Sequence, residues 1–240
     1  MTFSPHAAAL LARIQDRSAV VGVIGQGYVG LPLALVFVEA GFRAFGFDVD
    51  PEKITRLERG DSYIRHIGAE RVAAARAGLH PEGGARFTPT ADFDRLAECD
   101  AILICVPTPL GRHREPDLSY VLDTTREIAA RLHPGQLVVL ESTTYPGTTD
   151  EEVQPLLEAA GLRTGTGARA TGDAGAAGPA NTDTDALSPG FGAPGVRGPG
   201  AGSGVARNSG GGGGVAGVDS RNDFFLAFSP EREDPGNPHF

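Results

Sequence analysis

A glycine turn between an apolar run and a helical pattern constrains this chain more than any other feature. The turn reads GQGYVG at residues 25–30, follows the apolar run 19–24, and leads into a helical pattern at 29–40 that Gly41 ends. A buried strand that passes directly into a helix is typical of a parallel α/β sheet, in which crossover helices join the strands. Glycine also suits the tight turn and the helix end.

Further apolar runs continue this alternation of strand and helix. The runs predicted as strands lie at residues 43–47, 86–88, 101–106, 136–140 and 223–228. Helical patterns lie between them, one opened by Asp50 as N-cap and Pro51 as first residue, others over 69–77 and 118–132. The sequence TDEE at 149–152 predicts a capping box that opens another helix. We therefore predict an α/β fold, a Rossmann-type doubly wound parallel sheet.

Residues 163–220 have a different composition from the rest. They hold more than half of the chain's 34 glycines and almost no large apolar side chains. Such a segment buries too little surface to offset its ordering entropy, so we predict a long disordered Gly-rich insert. A glycine-repeat element is the alternative. The predicted organisation is an N-terminal extension at 1–17, a Rossmann domain at 18–162, the insert at 163–220, and the last strand and loop of the domain at 221–240.

Charge, cysteines and the N-terminal sequence exclude several classes of protein. The net charge of −9 argues against nucleic acid and anionic membranes as partners, since both attract basic surfaces. Two cysteines, Cys99 and Cys105, are too few for a disulfide framework or a zinc site, and we predict no metal. Cys105 ends an apolar run and is predicted to be a buried, unreactive thiol. No secretory signal pattern or membrane span is apparent, which favours a cytoplasmic location.

The glycine turn and an acid after the second predicted strand together predict dinucleotide binding. Gly27 allows the backbone to approach a pyrophosphate, and the helix start provides N–H donors for it. Asp50 is explained as an N-cap, which leaves Asp48 to bind a ribose hydroxyl. No arginine directly follows Asp48 to bind a 2′-phosphate, so the sequence favours NAD over NADP. A purely structural Rossmann-like unit is the alternative.

Other residues join this predicted NAD site. Lys53 lies one helical turn further on, either near the adenosine ribose or on a solvated helix face. The predicted cofactor-binding residues are Gly25, Gly27, Tyr28, Val29, Gly30, Asp48, Lys53, Thr108 and Thr143.

Three motifs follow later strands, where ligands gather in open α/β sheets. They read CVPTPL at 105–110, ESTTYPG at 141–147 and FSPEREDPGN at 228–237. With GQGYVGLPL at 25–33 and PDLSYV at 116–121, they resemble the UDP-glucose/GDP-mannose dehydrogenase family. The motifs at 141–147 and 228–237 are most similar to those of UDP-N-acetylglucosamine 6-dehydrogenases. The alternative is that Pro and Gly merely shape turns while Ser and Thr cap helices.

The resemblance implies two successive NAD-dependent oxidations at the sugar C6, from alcohol through aldehyde to carboxylate. In the family a cysteine traps the aldehyde as a thiohemiacetal, and water hydrolyses the later thioester. Thr143 matches the threonine that orients water or the reacting oxygen, and Glu231 matches the carboxylate proposed as the base. Where members carry a second glutamate this chain has Pro235, which leaves open whether Glu233 or Asp234 replaces it. The resemblance further implies a UDP-sugar substrate, surface-polysaccharide synthesis and a homo-oligomer in the full-length form.

These 240 residues also depart from the family pattern. The resemblance covers residues 18–162 and 222–240, and the family's nucleophilic cysteine motif, central helix and C-terminal domain have no counterpart in them. We therefore expect an N-terminal fragment of a nucleotide-sugar dehydrogenase that binds NAD without turnover by itself. The alternative is a non-catalytic NAD-binding module or pseudoenzyme. A hydroxyacid dehydrogenase is disfavoured, because its layout demands neither the motif at 141–147 nor that at 228–237.

Overall fold

Six parallel strands form the central sheet of the computed structural model, which describes residues 4–78, 86–110, 116–164 and 223–229. The strands are β1 (Val20–Ile24), β2 (Arg43–Phe47), β3 (Phe87–Thr90), β4 (Ala101–Ile104), β5 (Leu137–Leu140) and β6 (Phe225–Phe228). Their order across the sheet is β3-β2-β1-β4-β5-β6. This order, which runs outward in both directions from β1, is that of doubly wound dinucleotide-binding folds. The predicted Rossmann-type sheet is therefore confirmed.

The central strands β1, β2 and β4 are almost wholly apolar because the sheet is covered on both faces. All four residues of β4 are buried, as are the last four of β1 and of β2. Alternating polar positions would belong to a sheet with one face in water, and these strands have none. The register places Val21 of β1 between Ala44 of β2 and Ala101 of β4, which brings the ends of these three strands to one edge.

Helices flank the strands, and the start of one helix and the end of another have the residues that the sequence predicted. They are α1 (Pro5–Gln15), α2 (Gly30–Glu39), α3 (Pro51–Glu58), α4 (Ala69–Ala77), α5 (Ser119–Ala129) and α6 (Gln154–Glu158), with a 3₁₀ helix at Phe93–Glu98. Asp50 caps α3 through its carboxylate, which accepts from the Glu52 N–H at 2.9 Å, as predicted. Gly41 follows α2 with φ of 99°, also as predicted. No helix in the described ranges is long and apolar enough to cross a membrane.

Two hydrophobic clusters form the core, one for each face of the sheet. One is centred on α2 and α4 and contains Leu31, Leu35, Val38, Leu57, Val72 and Phe87. The other is centred on α5, α6 and the 3₁₀ helix and contains Phe47, Leu96, Ile102, Ile128, Leu140 and Leu157. Burial on both faces holds the strand ends in fixed positions, and the candidate site lies at those ends.

The predicted capping box at residues 149–152 is wrong. A π-helical segment begins one residue earlier and spans Thr148–Val153, ahead of α6. Its N-cap is Gly147, with φ of 97° and no side-chain cap. The Thr148 hydroxyl donates to the Tyr145 carbonyl at 2.8 Å, so a different threonine closes this turn. The sequence pattern could not reveal that a left-handed glycine would start the helix.

The backbone just before β6 pairs with residues that precede the Gly-rich segment. The Asp223 N–H donates to the Arg163 carbonyl at 2.8 Å, and Thr164 and Phe224 form a parallel bridge. The first two residues that the sequence assigns to the insert are therefore paired with the start of β6. The rest of the predicted insert, and Glu231 with the acids after it, lie outside the described residues, and the domain division stays a prediction.

Candidate cofactor-binding site

A cleft of about 800 Å³ opens at the carboxyl ends of β1, β2 and β4. This is where ligands bind in doubly wound sheets, beside the strand at which the order reverses. Its wall comprises Ile24, Gly25 and Gly27 after β1, Asp48, Val49, Asp50 and Lys53 after β2, Phe93, then Cys105, Val106 and Pro107 after β4, and Tyr120, Asp123, Thr124, Arg126 and Glu127 on α5. The volume is within the range of small-molecule and cofactor sites.

Each glycine of the turn has a different steric reason to be glycine. Gly25 has φ of 91°, and a Cβ there would lie 2.6 Å from the Cys105 carbonyl oxygen. A Cβ on Gly30 would overlap the carbonyl oxygen of Gly25, because α2 starts directly against the turn. A Cβ on Gly27 would meet no atom within 4 Å, since it would point into open space. Gly25 and Gly30 are therefore required by the packing of the turn itself, and Gly27 leaves room for a ligand to approach.

The turn also presents unused backbone donors. The N–H groups of Gly27, Tyr28 and Val29 donate to no other residue in the described part of the chain. They precede α2, whose dipole places partial positive charge at this end. Several free N–H groups at a helix start are suited to bind phosphate oxygens. This arrangement fits the pyrophosphate of a dinucleotide and supports the predicted roles of these three residues.

The Asp48 carboxylate is buried and already accepts three hydrogen bonds. Its Oδ2 accepts from the Gln26 N–H at 2.8 Å and from the Lys53 ammonium at 2.9 Å, and its Oδ1 accepts from the Asp50 N–H at 3.0 Å. A carboxylate oxygen accepts about two hydrogen bonds. Oδ1 therefore keeps one position for a ribose hydroxyl, and the predicted role of Asp48 fits this geometry.

Lys53 lies in the cleft wall as well as on α3. Its ammonium forms an ion pair with Asp48, and its side chain is about one-third exposed. Because an ammonium has three N–H donors, two remain after this bond. The structure therefore places Lys53 beside the predicted ribose position, and contact with the cofactor stays a prediction.

Two of the later motifs meet at the same edge of the sheet. The Thr108 hydroxyl donates to the Thr143 carbonyl at 2.8 Å. Ser142 binds the end of β4 through its hydroxyl, which donates to the Val106 carbonyl at 2.7 Å. The loops after β4 and β5 are thus joined side by side. Thr108 and Thr143 lie next to the cleft and not in its wall, where Gly25, Gly27, Asp48 and Lys53 are found.

Sequence reasoning missed the apolar and α5 parts of the wall. Val49 is 83% exposed between two acids, and Phe93 and Tyr120 also face the cleft. Tyr120, Thr124 and Glu127 have the spacing of one helical face, beside the apolar face that the pattern of α5 predicted. That spacing was a usable signal. Val49 had no such signal in the sequence, because a lone valine after a strand is usually a core residue.

The two cysteines differ in accessibility. Cys105 lies just past β4, is half-buried and lines the cleft, so its predicted burial is wrong. Cys99 is fully buried, and its Sγ lies 3.7 Å from the Arg95 carbonyl oxygen. Burial, with the charges of Glu98 and Asp100, raises the pKa of the Cys99 thiol to about 12. Cys99 is therefore protonated and shielded at neutral pH.

We expect Cys99 to react with thiol reagents only after the chain unfolds. In a Cys105→Ser chain at pH 8, an aromatic disulfide reagent should release colour only at denaturant concentrations that unfold the protein. The matched Cys99→Ala chain, which keeps half-buried Cys105, should react faster in the folded state. Rapid reaction of the folded Cys105→Ser chain would contradict the burial of Cys99.

A family model matches this cleft and its sheet. The model describes the NAD-binding domain of the UDP-glucose/GDP-mannose dehydrogenase family and matches residues 19–169. The chain belongs to this family. Its matched part is the NAD-binding domain, so NAD is the cofactor of the cleft described above. The match begins with the first strand and includes Gly25, Asp48 and Thr143.

Several relatives of the chain are named as dehydrogenases of UDP-N-acetyl sugars. The chain is 35% identical over 137 residues to a UDP-N-acetyl-D-glucosamine 6-dehydrogenase of Salmonella typhi, which covers 57% of this chain and 30% of that protein. It is 37% identical over 143 residues to a UDP-N-acetyl-D-mannosamine dehydrogenase of Escherichia coli K12, covering 58% and 31%. The solved structure of a UDP-D-ManNAc dehydrogenase from Pyrococcus horikoshii matches with a TM-score of 0.58 and 27% identity, covering 90% of this chain and 37% of that one. The matched region spans about a third of the length of these curated relatives.

Proposed function

We propose that this chain supplies the NAD site of a nucleotide-sugar 6-dehydrogenase that converts UDP-N-acetylglucosamine to its uronic acid by two successive oxidations at C6. The observation that carries the proposal is the position of the joined Thr108 and Thr143 loops beside the NAD cleft. The two loops follow neighbouring strands and are suited to hold a substrate next to the reactive end of the cofactor. Although the chain is acidic overall, the free N–H groups of the glycine turn can still bind phosphates locally.

The residues of the chain have separate roles in this proposal. Bound NAD supplies hydride acceptance, the chemistry that protein side chains lack. Gly27 and its neighbours bind the pyrophosphate, and Asp48 with Lys53 binds the adenosine ribose. The Thr143 hydroxyl donates to no other described residue, so it is available to orient water or the reacting oxygen. Glu231 is the proposed base for thioester hydrolysis, and it lies outside the described residues.

UDP-N-acetylglucosamine is proposed over other UDP-sugars because of the motifs at residues 141–147 and 228–237. The test uses the source cells, in which the gene is deleted and nucleotide sugars are measured by mass spectrometry. We expect the uronic acid of UDP-N-acetylglucosamine to disappear and UDP-N-acetylglucosamine to accumulate. If the uronic acid of UDP-N-acetylmannosamine disappears instead, UDP-N-acetylmannosamine would be the substrate, and the assignment to the family would stand. Surface-polysaccharide synthesis, a cytoplasmic site of action and a homo-oligomer in the full-length form belong to the same proposal.

The 240-residue chain is expected to bind NADH without oxidising a UDP-sugar. Its two thiols are unsuited to trap an aldehyde: Cys99 is buried, and Cys105 lies in the wall of the NAD cleft beside the glycine turn. Covalent catalysis without its nucleophile loses nearly all of its rate. The measurement is NADH formation from NAD and UDP-N-acetylglucosamine, with NADH binding followed by fluorescence in the same preparation. Steady turnover would contradict the expected inactivity, and absence of NADH binding would contradict the proposed function itself.

A non-catalytic NAD-binding module is the second candidate. The same unsuited thiols favour it, because a binding module needs no nucleophile. The intact mass of the protein made by its own cells distinguishes the two candidates. A polypeptide much longer than 240 residues would support the dehydrogenase. A mass that matches these 240 residues, together with NADH binding and no turnover, would support the binding module.

A further inference from the structure

Gln26, the second residue of the glycine turn, is held at three separate points. Its side-chain amide is fully buried and donates to the Val23 carbonyl at 2.8 Å. Its backbone N–H donates to Asp48 Oδ2 at 2.8 Å. Its backbone carbonyl accepts a hydrogen bond from the Tyr63 hydroxyl. The first two contacts come from the strands of the Rossmann unit, whereas the third comes from the segment between α3 and α4.

Tyr63 is itself held in place by α3. The Arg56 guanidinium donates to the Ser62 carbonyl at 2.8 Å and lies 5.5 Å from the centre of the Tyr63 ring. These two contacts fix the backbone before Tyr63 and one face of its ring. The hydroxyl is thereby directed at the glycine turn from the side of α3.

The Tyr63 hydroxyl remains a hydrogen-bond donor across the physiological pH range. Burial raises its pKa well above the usual value, and the negative charges of Asp48 and Asp50 raise the pKa further. An ionised phenolate would have no proton to donate to the Gln26 carbonyl. The contact is therefore insensitive to ordinary changes of pH.

The geometry of the peptide bond connects this contact to the cofactor. The carbonyl of Gln26 and the N–H of Gly27 belong to one planar trans peptide, so they point in opposite directions. A group that fixes the carbonyl also fixes the direction of the N–H. That N–H donates to no other described residue and lies at the cleft. Glycine at position 27 leaves this peptide unusually free to rotate when nothing holds it.

We propose that Tyr63 is a positioning residue for NAD, which fixes the peptide between Gln26 and Gly27 so that the Gly27 N–H points at the cofactor pyrophosphate. The role rests on the proposed binding of the pyrophosphate at the glycine turn. Tyr63 does not line the cleft and acts only through the backbone. Sequence position gives no hint of it, since Tyr63 lies 37 residues after Gln26.

The test compares Tyr63→Phe with Ser62→Ala in the full chain. Phenylalanine fills the same volume and removes only the hydroxyl. The control removes a hydroxyl of the same segment, which donates to the Ile64 carbonyl at 3.2 Å and does not contact the turn. Calorimetry measures the Kd of NADH, of ADP-ribose, which keeps the pyrophosphate, and of adenosine, which has no phosphate. Hydrogen exchange measures the protection of the turn amides.

For Tyr63→Phe we expect Kd to rise about three- to tenfold for NADH and ADP-ribose, the effect of one lost hydrogen bond. The Kd of adenosine should not change, and in the NADH complex amide exchange should accelerate in residues 26–29. Ser62→Ala should match the unchanged chain throughout. Equal loss for all three ligands, or faster exchange throughout the domain, would mean a general structural role and overturn the proposal. An unaltered Kd for NADH would also overturn it.

Two further measurements keep the test decisive. If Tyr63→Phe fails to fold, Arg56→Gln loosens Tyr63 without removing it, and the same difference between NADH and adenosine is expected. Equal losses for the two ligands in that variant would overturn the proposal. Failure of the unchanged chain to bind NADH would instead contradict the proposed function, and it is seen before any variant is compared.

Discussion

Gly30→Ala is expected to destabilise the folded domain strongly, whereas Gly27→Ala is expected to fold normally and lose affinity for NADH. The two glycines lie three residues apart in one turn and differ in what surrounds them. A Cβ on Gly30 would overlap the Gly25 carbonyl, a backbone atom that cannot rotate away, and would also lie 3.3 Å from Cys105 Cβ. A Cβ on Gly27 would meet nothing within 4 Å. Packing within the protein thus requires glycine at position 30, whereas the approach of the ligand requires it at position 27.

The magnitudes follow from these surroundings. Displacing α2 from β1 would disturb the most buried helix of the fold, so we expect Gly30→Ala to cost about 3 kcal/mol or more, out of roughly 5–15 kcal/mol for a typical domain. Gly27→Ala should change the free energy of unfolding by less than about 0.5 kcal/mol. Its methyl group would occupy the space through which a pyrophosphate approaches, so the Kd of NADH should rise about tenfold or more, which is ~1.4 kcal/mol.

Urea unfolding and NADH fluorescence titration, applied to both variants, check this pair. Gly161→Ala is not a suitable control, because Gly161 has φ of 88° and would be strained for a reason unrelated to the cofactor. Ser62→Ala is the better reference for both measurements, since the Ser62 hydroxyl bonds only Ile64 and does not contact the glycine turn. A stable Gly30→Ala chain would mean that α2 can move off the turn. Undiminished NADH binding by Gly27→Ala would mean that the pyrophosphate does not approach at Gly27.

Local patterns predicted the fold because each strand and helix is consistent with its neighbours. The apolar runs at β4 and β5, the Asp50-Pro51 helix start and the Gly41 helix end each reflect a short-range rule, and the structure follows all of them. The prediction failed at residues 149–152, where a left-handed glycine starts a π-helical segment. In that segment the backbone conformation of a single residue overrode a side-chain capping pattern.

The candidate site was predicted only where its residues belong to a contiguous motif. The glycine turn and Asp48 lie next to strands, and strand order alone brings them together. Tyr63, Val49 and Tyr120 reach the same region from three different connections, and no spacing in the sequence relates them. The full burial of Cys99 and the partial burial of Cys105 at the cleft likewise depend on which strand end faces the cleft. Contacts of this kind require the tertiary structure.

Asp48→Asn is expected to weaken NADH binding and to reduce the discrimination against NADPH. The Asp48 carboxylate keeps one acceptor position on Oδ1 for a ribose hydroxyl, and a hydrogen bond to a charged group contributes about 1.5–3 kcal/mol. We therefore expect the Kd of NADH to rise about ten- to a hundredfold. A 2′-phosphate in the same place is repelled by the carboxylate. Removal of that charge also releases Lys53, which can then pair with the phosphate.

The ratio of the two Kd values separates this effect from general damage. NADPH should bind Asp48→Asn at least as tightly as it binds the unchanged chain, so the preference for NADH should fall at least about ten- to a hundredfold. Glu52→Gln is the matched control, because it removes one negative charge from an exposed position in the first turn of α3 and lies outside the cleft wall. It should leave the ratio unchanged. An equal loss of both cofactors in Asp48→Asn would mean that Asp48 holds the glycine turn through Gln26 and does not select the ribose.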